Sequence, residues 1–340
     1  MKCLVVGGTG FLGGAMVDNL VKAGHDVSVL CRGGTKRRLP DGVSVIAADR
    51  FGPLSAVTDA GPFDWVFDSC AYTPDAVSRL LDAVGPSIAR YVVISSISAY
   101  GSFAEPALDE DAEVETATAD DYTAAAGLAP DQRANAAAYG PSYGRLKRAI
   151  ELTAAERLGG RATAIRAGLL VGAGDYTNRL TWWVRRLDTA TGPRQRVPAP
   201  GPRDRAVQMI DARDCAAFAV DCASRETGGI FNVTGPVMRL DAVLAEIVTA
   251  TNSEPNLVWV DESRVIDAGV APWTDMPLMA PTTPEFAHFM NVSTCRAEAA
   301  GLRLRPLQDT LRPLLAWDRG RRELDLGLGL SPEQEAALLS

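Results

Sequence analysis

The sequence predicts an α/β fold: a doubly wound parallel sheet with a smaller lobe interleaved on its C-terminal side. Three observations lead there. Short, unbroken apolar runs alternate with helix-period segments through the first hundred residues, and strands that are apolar on both faces belong to parallel sheets covered by helices on both sides. Gly7, Gly10 and Gly13 make a G-x-x-G-x-x-G turn between the first apolar run and the first helical segment. After Gly172 the alternation loosens into a stretch rich in Pro, Gly, Arg and Trp.

The elements follow in order. "CLVVGG" reads as a strand closed by glycine, and "FLGGAMVDNLVKAG" as a helix with apolar residues at helical spacing, stopped at Gly24. "HDVSVLCR", "GVSVIAAD" and "FDWVFDSCA" are strands, "PDAVSRLLDAVG" is a helix, and "RYVVISSISAYG" is a strand running into a loop. Residues 102–138 are rich in Ala, Asp and Glu and poor in large apolar side chains, which predicts a surface insertion with one weak helix. A helix follows from about Ser142 to Arg157, and "RATAIRAGLLVG" then reads as one buried strand. Further on come a short helix (Asp211 to Ala223), the strand "GIFNVTG", the helix "RLDAVLAEIVTAT", isolated helices and a polar tail. The sheet domain is therefore expected over residues 1–171, with the insertion at 102–138. The lobe is expected over 172–340, with 211–235 returning to the sheet.

Composition narrows the function classes. In 340 residues, 47% are hydrophobic and 22% charged, with a net charge of −8, which argues against a nucleic-acid surface and gives no reason to propose a membrane one. Nothing in the chain provides about 18 uncharged apolar residues in a row. Six scattered cysteines form no CxxC pair and there are two histidines, so no metal site is expected. A soluble, cytoplasmic protein acting on a small molecule is the reading that remains.

The glycine turn has a specific physical use. Glycine permits the tight bend, lets backbone approach a pyrophosphate, and lets the helix pack close to the sheet. The helix N-terminus then offers free N–H groups and a positive dipole end to the phosphates. A bound dinucleotide is expected. The second strand ends Leu30-Cys31-Arg32, with Lys36, Arg37 and Arg38 just beyond, and no carboxylate stands where an NAD site usually carries one for the ribose hydroxyls. Arginine attracts a 2′-phosphate, so NADP(H) is expected ahead of NAD(H). Asp49, at the end of the third strand, is a candidate for the adenine, or else a turn cap.

Tyr143 and Lys147, four apart on a helix, share a face. A free phenol titrates near pH 10, and a neighbouring ammonium is expected to lower that value. The serines of "VVISSISAYG" supply a second hydroxyl at a strand's C-terminal end, where α/β sheets place their ligands.

"GGTGFLGG", "ISSISAYG", "YGRLK" and "MIDARDCA" occur in the order found in the extended short-chain dehydrogenase/reductases, and the chain resembles that family over residues 1–235 and more loosely beyond. The resemblance implies a Rossmann-type sheet domain and assigns roles. Tyr143 is implied as general acid/base, Lys147 as the partner that lowers its pKa, and Ser96 as the hydroxyl that polarises the substrate, with Ser98 assisting. The cofactor set is Gly7, Thr9, Gly10, Phe11, Leu12 and Gly13 at the turn, Arg32 and Lys36, Asp49 and Arg50, Ala71, and Tyr143 and Lys147. The family also suggests a homodimer.

Three departures are visible. The span from Ser96 to Tyr143 is longer than the family's usual one because of the acidic insertion, which reads either as a lid over the site or as a decorated surface loop. Leu169 stands where the nucleotide-sugar members carry Asn after Arg166, which counts against a nucleotide sugar. Ile97-Ser98 follows Ser96 where the sugar dehydratases carry Asp-Glu, which disfavours dehydration. On the lobe, Arg179, Arg205 and Gln208 could meet a polar group and Trp182 could form an apolar wall, unless the tryptophans Trp182 and Trp183 fill a core. A ketoreductase is the leading expectation. An NAD-dependent sugar epimerase and a non-catalytic dinucleotide sensor are the alternatives.

Overall fold

A computed structural model describes residues 1–33, 37–190, 192, 195–281 and 283–340. The strands are β1 (Lys2–Val6), β2 (Asp26–Cys31), β3 (Ser44–Ala47), β4 (Trp65–Asp68), β5 (Arg90–Ser96), β6 (Ala162–Ala167), β7 (Leu169–Val171), β8 (Arg196–Pro200), β9 (Ala206–Asp211), β10 (Gly229–Val233), β11 (Val237–Arg239) and β12 (Asn256–Val260). The helices are α1 (Phe11–Lys22), α2 (Ser55–Ala60), α3 (Pro74–Val84), α4 (Ala119–Ala126), α5 (Tyr143–Leu158), α6 (Arg179–Asp188), α7 (Ala212–Ser224), α8 (Leu240–Thr251), α9 (Glu262–Asp267), α10 (Cys295–Ala299), α11 (Leu307–Arg319) and α12 (Pro332–Leu339). Among the described residues, no helix is long and apolar enough to cross a membrane.

Seven parallel strands form one sheet in the order β10-β6-β5-β4-β1-β2-β3. The period of two decides which layer each side chain joins. Cys3 and Val5 of β1 pack with Met16 and Leu20 of α1 and Phe218 of α7, while Leu4 and Val6 pack on the other face with Leu80 of α3 and Ile150 of α5. The strand order reverses at β1, with β2 and β3 to one side and β4 to the other, and a crevice opens there beyond the carboxyl ends of the strands.

Helix α5 is held to the sheet by buried polar contacts as well as apolar ones. Glu151 accepts two hydrogen bonds from Arg166 of β6, at 2.9 Å each, and one from Ser95 of β5 at 2.6 Å. Both partners of this ion pair are buried, so each satisfies a charge that would otherwise be stranded in the core. The pair sets the height of α5 above the ends of β5 and β6.

The expected single strand at 161–172 is two strands. Residues up to Ala167 pair in the large sheet, and Leu169–Val171 leave it to pair with β9 in a three-stranded sheet ordered β11-β9-β7. An unbroken apolar run carries no signal for a change of sheet. The chain does come back, as the sequence suggests: α7 packs against α1, and β10 closes the edge beside β6.

The lobe has its own core, built from Leu180, Trp183 and Leu187 of α6, Val243, Leu244 and Ile247 of α8, and Leu311 and Leu314 of α11. The expected polar tail ends in a helix. Ser331 and Gln334 form a reciprocal capping box at the start of α12, and Leu338 is only 1% exposed. The S-P-E-Q signature was there to be read; the single apolar anchor made it look like a tail.

The insertion is also more than surface decoration. It contains the one expected helix, α4, capped by Thr118. Its few large apolar residues are used as wedges: Phe103 is buried with Tyr100 and Val292, and backbone bonds tie Phe103 to Glu285 and Ala107 to Asn291. Asp121 of α4 accepts a forked pair of hydrogen bonds from Arg145 of α5, at 2.8 and 2.7 Å. The charge-rich composition hid these buried partners.

Candidate active site

A cavity of about 750 Å³ lies at the strand-order reversal, lined by the glycine turn, the ends of β2, β4 and β5, the start of α5, and the inserted segment. The turn is built as the glycine spacing requires. Gly7 has φ +76°, and Gly10 N–H donates to its carbonyl at 2.9 Å. A Cβ on Gly13 would sit 2.3 Å from that same carbonyl oxygen, so only glycine lets α1 start so close to β1. Among the described residues, no side chain caps the N-terminus of α1, which leaves its first amides for a ligand. Thr9, Phe11 and Leu12 line the cavity beside the glycines. A Gly13→Ala variant is expected to lose about 10- to 100-fold in dinucleotide affinity, because the loop must shift away from the phosphate position; a fluorescence titration of reduced dinucleotide measures it.

On the far side of the turn the expected cations disperse. Arg32 lines the cavity and is exposed. Lys36 lies outside the described residues. Arg37 turns back onto α1, donating to Asp18 at 2.6 Å and to the Gly14 carbonyl at 3.2 Å. Asp49 lines the cavity, and its carboxylate also accepts the Phe51 N–H at 3.0 Å, so the adenine and turn-cap readings coexist.

Arg50 reaches the wall, but its guanidinium points beneath the floor. It grips Asp68 with two hydrogen bonds of 2.6 and 2.8 Å and donates to the Ala76 carbonyl at 3.0 Å, while Tyr91 Oη donates to the same carboxylate at 2.9 Å. Those partners take up both terminal nitrogens of the side chain inside the fold. Ala71 is fully buried and contributes its carbonyl to Lys147.

Ser96, Tyr143 and Lys147 all line the cavity. Ser96 ends β5 and caps the turn that follows, accepting the Ser98 N–H and donating to Ser98 Oγ, both at 3.1 Å. Tyr143 opens α5 beside Ser96, whose hydroxyl acts to lower the pKa of the phenol. Gly144 makes that meeting geometrically possible: a Cβ there would lie 2.0 Å from the Ser98 carbonyl oxygen. Sequence reading passed over this glycine, although its place beside Tyr143 in "YGRLK" was a signal.

Lys147 is 2% exposed, and its ammonium donates to the carbonyls of Ala71 at 2.7 Å and Ile94 at 2.8 Å. Burial lowers its pKa to about 8. The Tyr143 phenol goes the other way: burial pushes it up to about 12, against the pull of the Ser96 hydroxyl. The expectation that the ammonium makes this phenol acidic is therefore not met. Lys147 Nζ sits 5.6 Å from the Tyr143 ring centroid, turned toward two carbonyls. At neutral pH the phenol holds its proton and is set up as a donor.

Other walls escaped the sequence. Tyr72, Tyr176, Phe51 and Leu170 line the cavity, and so do Pro130, Ala134 and Ala136 from the insertion. Spacing along the chain cannot show that a segment folds back over a site formed by residues a hundred positions away.

The lobe residues expected at the substrate stay away from the cavity wall. Trp182 packs in the lobe core, 4.8 Å centroid to centroid from Trp183. Arg205 is paired with Glu262 and donates to the Gly201 carbonyl at 2.6 Å. Gln208 is 3% exposed and latches three backbone groups of Gly235 and Val292. Arg179 begins α6 with its guanidinium 4.6 Å over the Trp273 ring. Ser98 touches Ser96 but does not reach the cavity. Residue type suggested a binding role; the partner that each side chain found inside the fold decided otherwise.

No protein-family model matches this chain, and no curated protein matches it. Solved structures share its fold. A UDP-glucose 4-epimerase is 15% identical, with 95% of this chain and 98% of that one covered at a TM-score of 0.68. A UDP-N-acetylglucosamine 4-epimerase from Bacillus cereus is 17% identical, with 94% and 100% covered at 0.65. A UDP-glucuronic acid 4-epimerase from Bacillus cereus, in complex with NAD, is 14% identical, with 96% and 98% covered at 0.62. At these identities the likeness is one of fold.

Proposed function

We propose that this chain is a nicotinamide-dinucleotide enzyme of the extended short-chain dehydrogenase/reductase type, acting at a carbon that interconverts between secondary alcohol and ketone. One observation carries the proposal: Ser96, Tyr143 and Lys147 converge on the same cavity that the uncapped N-terminus of α1 opens into. A bound dinucleotide would supply a hydride acceptor and donor. The cradle fits one, since Gly13 leaves space at the turn that any side chain would fill. The first amides of α1 would hold the pyrophosphate, and Asp49 the adenine side. Lys147 has spent two of its three N–H donors on carbonyls, and the third would hold a ribose hydroxyl. Ser96 Oγ would orient the substrate oxygen, and Tyr143 Oη would give that oxygen its proton or take it back.

Two forms of this chemistry are open to the same residues. The fold neighbours named above are sugar-nucleotide epimerases, which favours the epimerase form over the ketoreductase expected from sequence. NAD is the proposed cofactor on the same ground, since one of those neighbours was solved with NAD. The sequence argument for NADP relied on a cluster of cations, of which Arg32 alone among the described residues 32, 37 and 38 lines the cavity. Leu169 in place of Asn leaves the sugar carrier undefined, so the substrate proposed is a small secondary alcohol or ketone.

Denaturing the purified protein and identifying what it releases by mass spectrometry tests this directly. Near-stoichiometric NAD supports the epimerase form. A protein that arrives empty and consumes NADPH or NADH with ketones supports the reductase form. Failure to bind either dinucleotide at millimolar concentration overturns both, and binding without any turnover would return the sensor reading.

The buried ammonium sets a pH dependence. Lys147 is charged below about 8 and neutral above it, and only the charged form donates strongly to a ribose hydroxyl. Dinucleotide affinity is therefore expected to be full near neutrality and to fall as pH rises through 8, by about tenfold. A Lys147→Met variant should bind weakly with a flat profile; a wild-type profile equally flat would remove the ammonium from the binding site.

A further inference from the structure

We propose that residues 127–139 form a strap across the bound dinucleotide, with Arg133 covering its adenine end. The inference rests on the dinucleotide reading and goes beyond it, because the strap belongs to the inserted segment and not to the sheet domain. Three observations carry it. First, Pro130, Ala134 and Ala136 line the same cavity as the glycine turn, so this part of the insertion closes one side of the site. Second, the Arg133 guanidinium lies 5.4 Å from the centroid of the Phe51 ring, and Phe51 lines the cavity two residues beyond Asp49. A planar cation on an aromatic ring at the edge of an adenine site is a stacking surface for a purine. Third, the other end of the segment is pinned near the lysine. Tyr139 stacks on Tyr72 at 5.0 Å with the planes 22° apart, and Tyr72 in turn lies 4.5 Å from the Lys147 ammonium.

The segment is tied to itself between these ends. Tyr139 Oη donates to the Arg133 carbonyl at 2.8 Å, and Arg133 Nε donates to the Leu128 carbonyl at 3.0 Å. Most of its residues are exposed, whereas Leu128, Arg133, Ala136, Ala138 and Tyr139 are half-buried or buried. A decorative loop has no reason to reach both Phe51 and the ring that lies over the lysine. A strap has: it slows the escape of a dinucleotide that must stay through a full cycle of hydride removal and return.

The test measures release of the cofactor, not turnover. NADH bound to the protein is chased with excess NAD and its fluorescence followed in a stopped-flow instrument. Arg133→Ala is expected to raise the release rate about tenfold with the association rate changed less than about twofold. AMP affinity should fall in parallel, while reduced nicotinamide mononucleotide, which lacks the adenine, should bind as it does to wild type. An unchanged release rate, or an equal loss for the mononucleotide, overturns the strap. Arg133 sits in an exposed stretch, and an unaltered melting curve will confirm that the variant folds; Arg133→Lys, which keeps charge but loses the planar face, should release nearly as fast as the alanine variant. A wild-type protein that binds NADH and AMP no better than the mononucleotide would also overturn the strap. One that binds none of the three would overturn the dinucleotide reading itself.

Discussion

Tyr143→Phe is expected to lower turnover about 10²- to 10⁴-fold while dinucleotide affinity stays within about threefold of wild type. The change removes one oxygen and keeps the ring that packs at the start of α5. The neighbouring Ser96 hydroxyl keeps its own partner at Ser98. Stability should therefore fall by only about 1 kcal/mol. Binding is carried elsewhere, by the turn at Gly7 to Gly13 and by Lys147, so a selective loss of turnover isolates the proton-transfer step. The readout is the nicotinamide absorbance change when substrate candidates are added to the loaded protein. Undiminished turnover in a folded Phe variant would remove Tyr143 from the chemistry, and with it the assignment of Ser96 as its partner.

Asp68→Ala should be the most destabilising single change near the site, by about 3–5 kcal/mol. Asp68 is fully buried, and four donors converge on its carboxylate: two from Arg50, one from Tyr91 and the Cys70 N–H. Removing it strands a guanidinium under the cavity floor, and an uncompensated buried charge costs more than the pair ever contributed. Tyr91→Phe, by contrast, loses one neutral donor and should cost about 1 kcal/mol. Replacing both ions, with Arg50→Met and Asp68→Leu together, should recover most of the loss, since an apolar pair leaves nothing unpaired. Urea unfolding midpoints of the four proteins give the comparison. An Asp68→Ala protein as stable as wild type would mean that the ion pair contributes nothing to holding the segment after β3 against the end of β4.

The elements that could be read from the sequence share a property: their signal is local. β1, β2, β4 and β5 are apolar runs of the right length, α1 and α3 have helical spacing with glycine just beyond, and the turn between β1 and α1 needs glycine at positions set by its own backbone. Tyr143 and Lys147 fall on one helix face by the arithmetic of 3.6 residues per turn. Ser96 sits at a strand end, where parallel sheets expose side chains to a ligand. What failed was non-local. Arg50 looks like a cofactor residue until Asp68 is seen 18 positions away in its grip. Arg205 and Gln208 look like substrate ligands until Glu262 and Val292 take them up. The insertion reads as a lid or a surface loop alike, because nothing in its composition says that Tyr139, just past its end, will stack on Tyr72.

By itself, then, the sequence determined the layer architecture and the glycine turn, and it singled out Ser96, Tyr143 and Lys147 as candidates that the structure brings to one cavity, because period, turn chemistry and helix-face spacing act over a few residues. Only the tertiary structure decided which cations remain free for a ligand, which lobe residues face inward, and that the inserted segment lies along the cavity. Those outcomes depend on which side chains meet across long stretches of chain. The titration of the pair was likewise a tertiary matter: burial, set by everything packed around α5, outweighs the effect expected from the four-residue spacing of Tyr143 and Lys147.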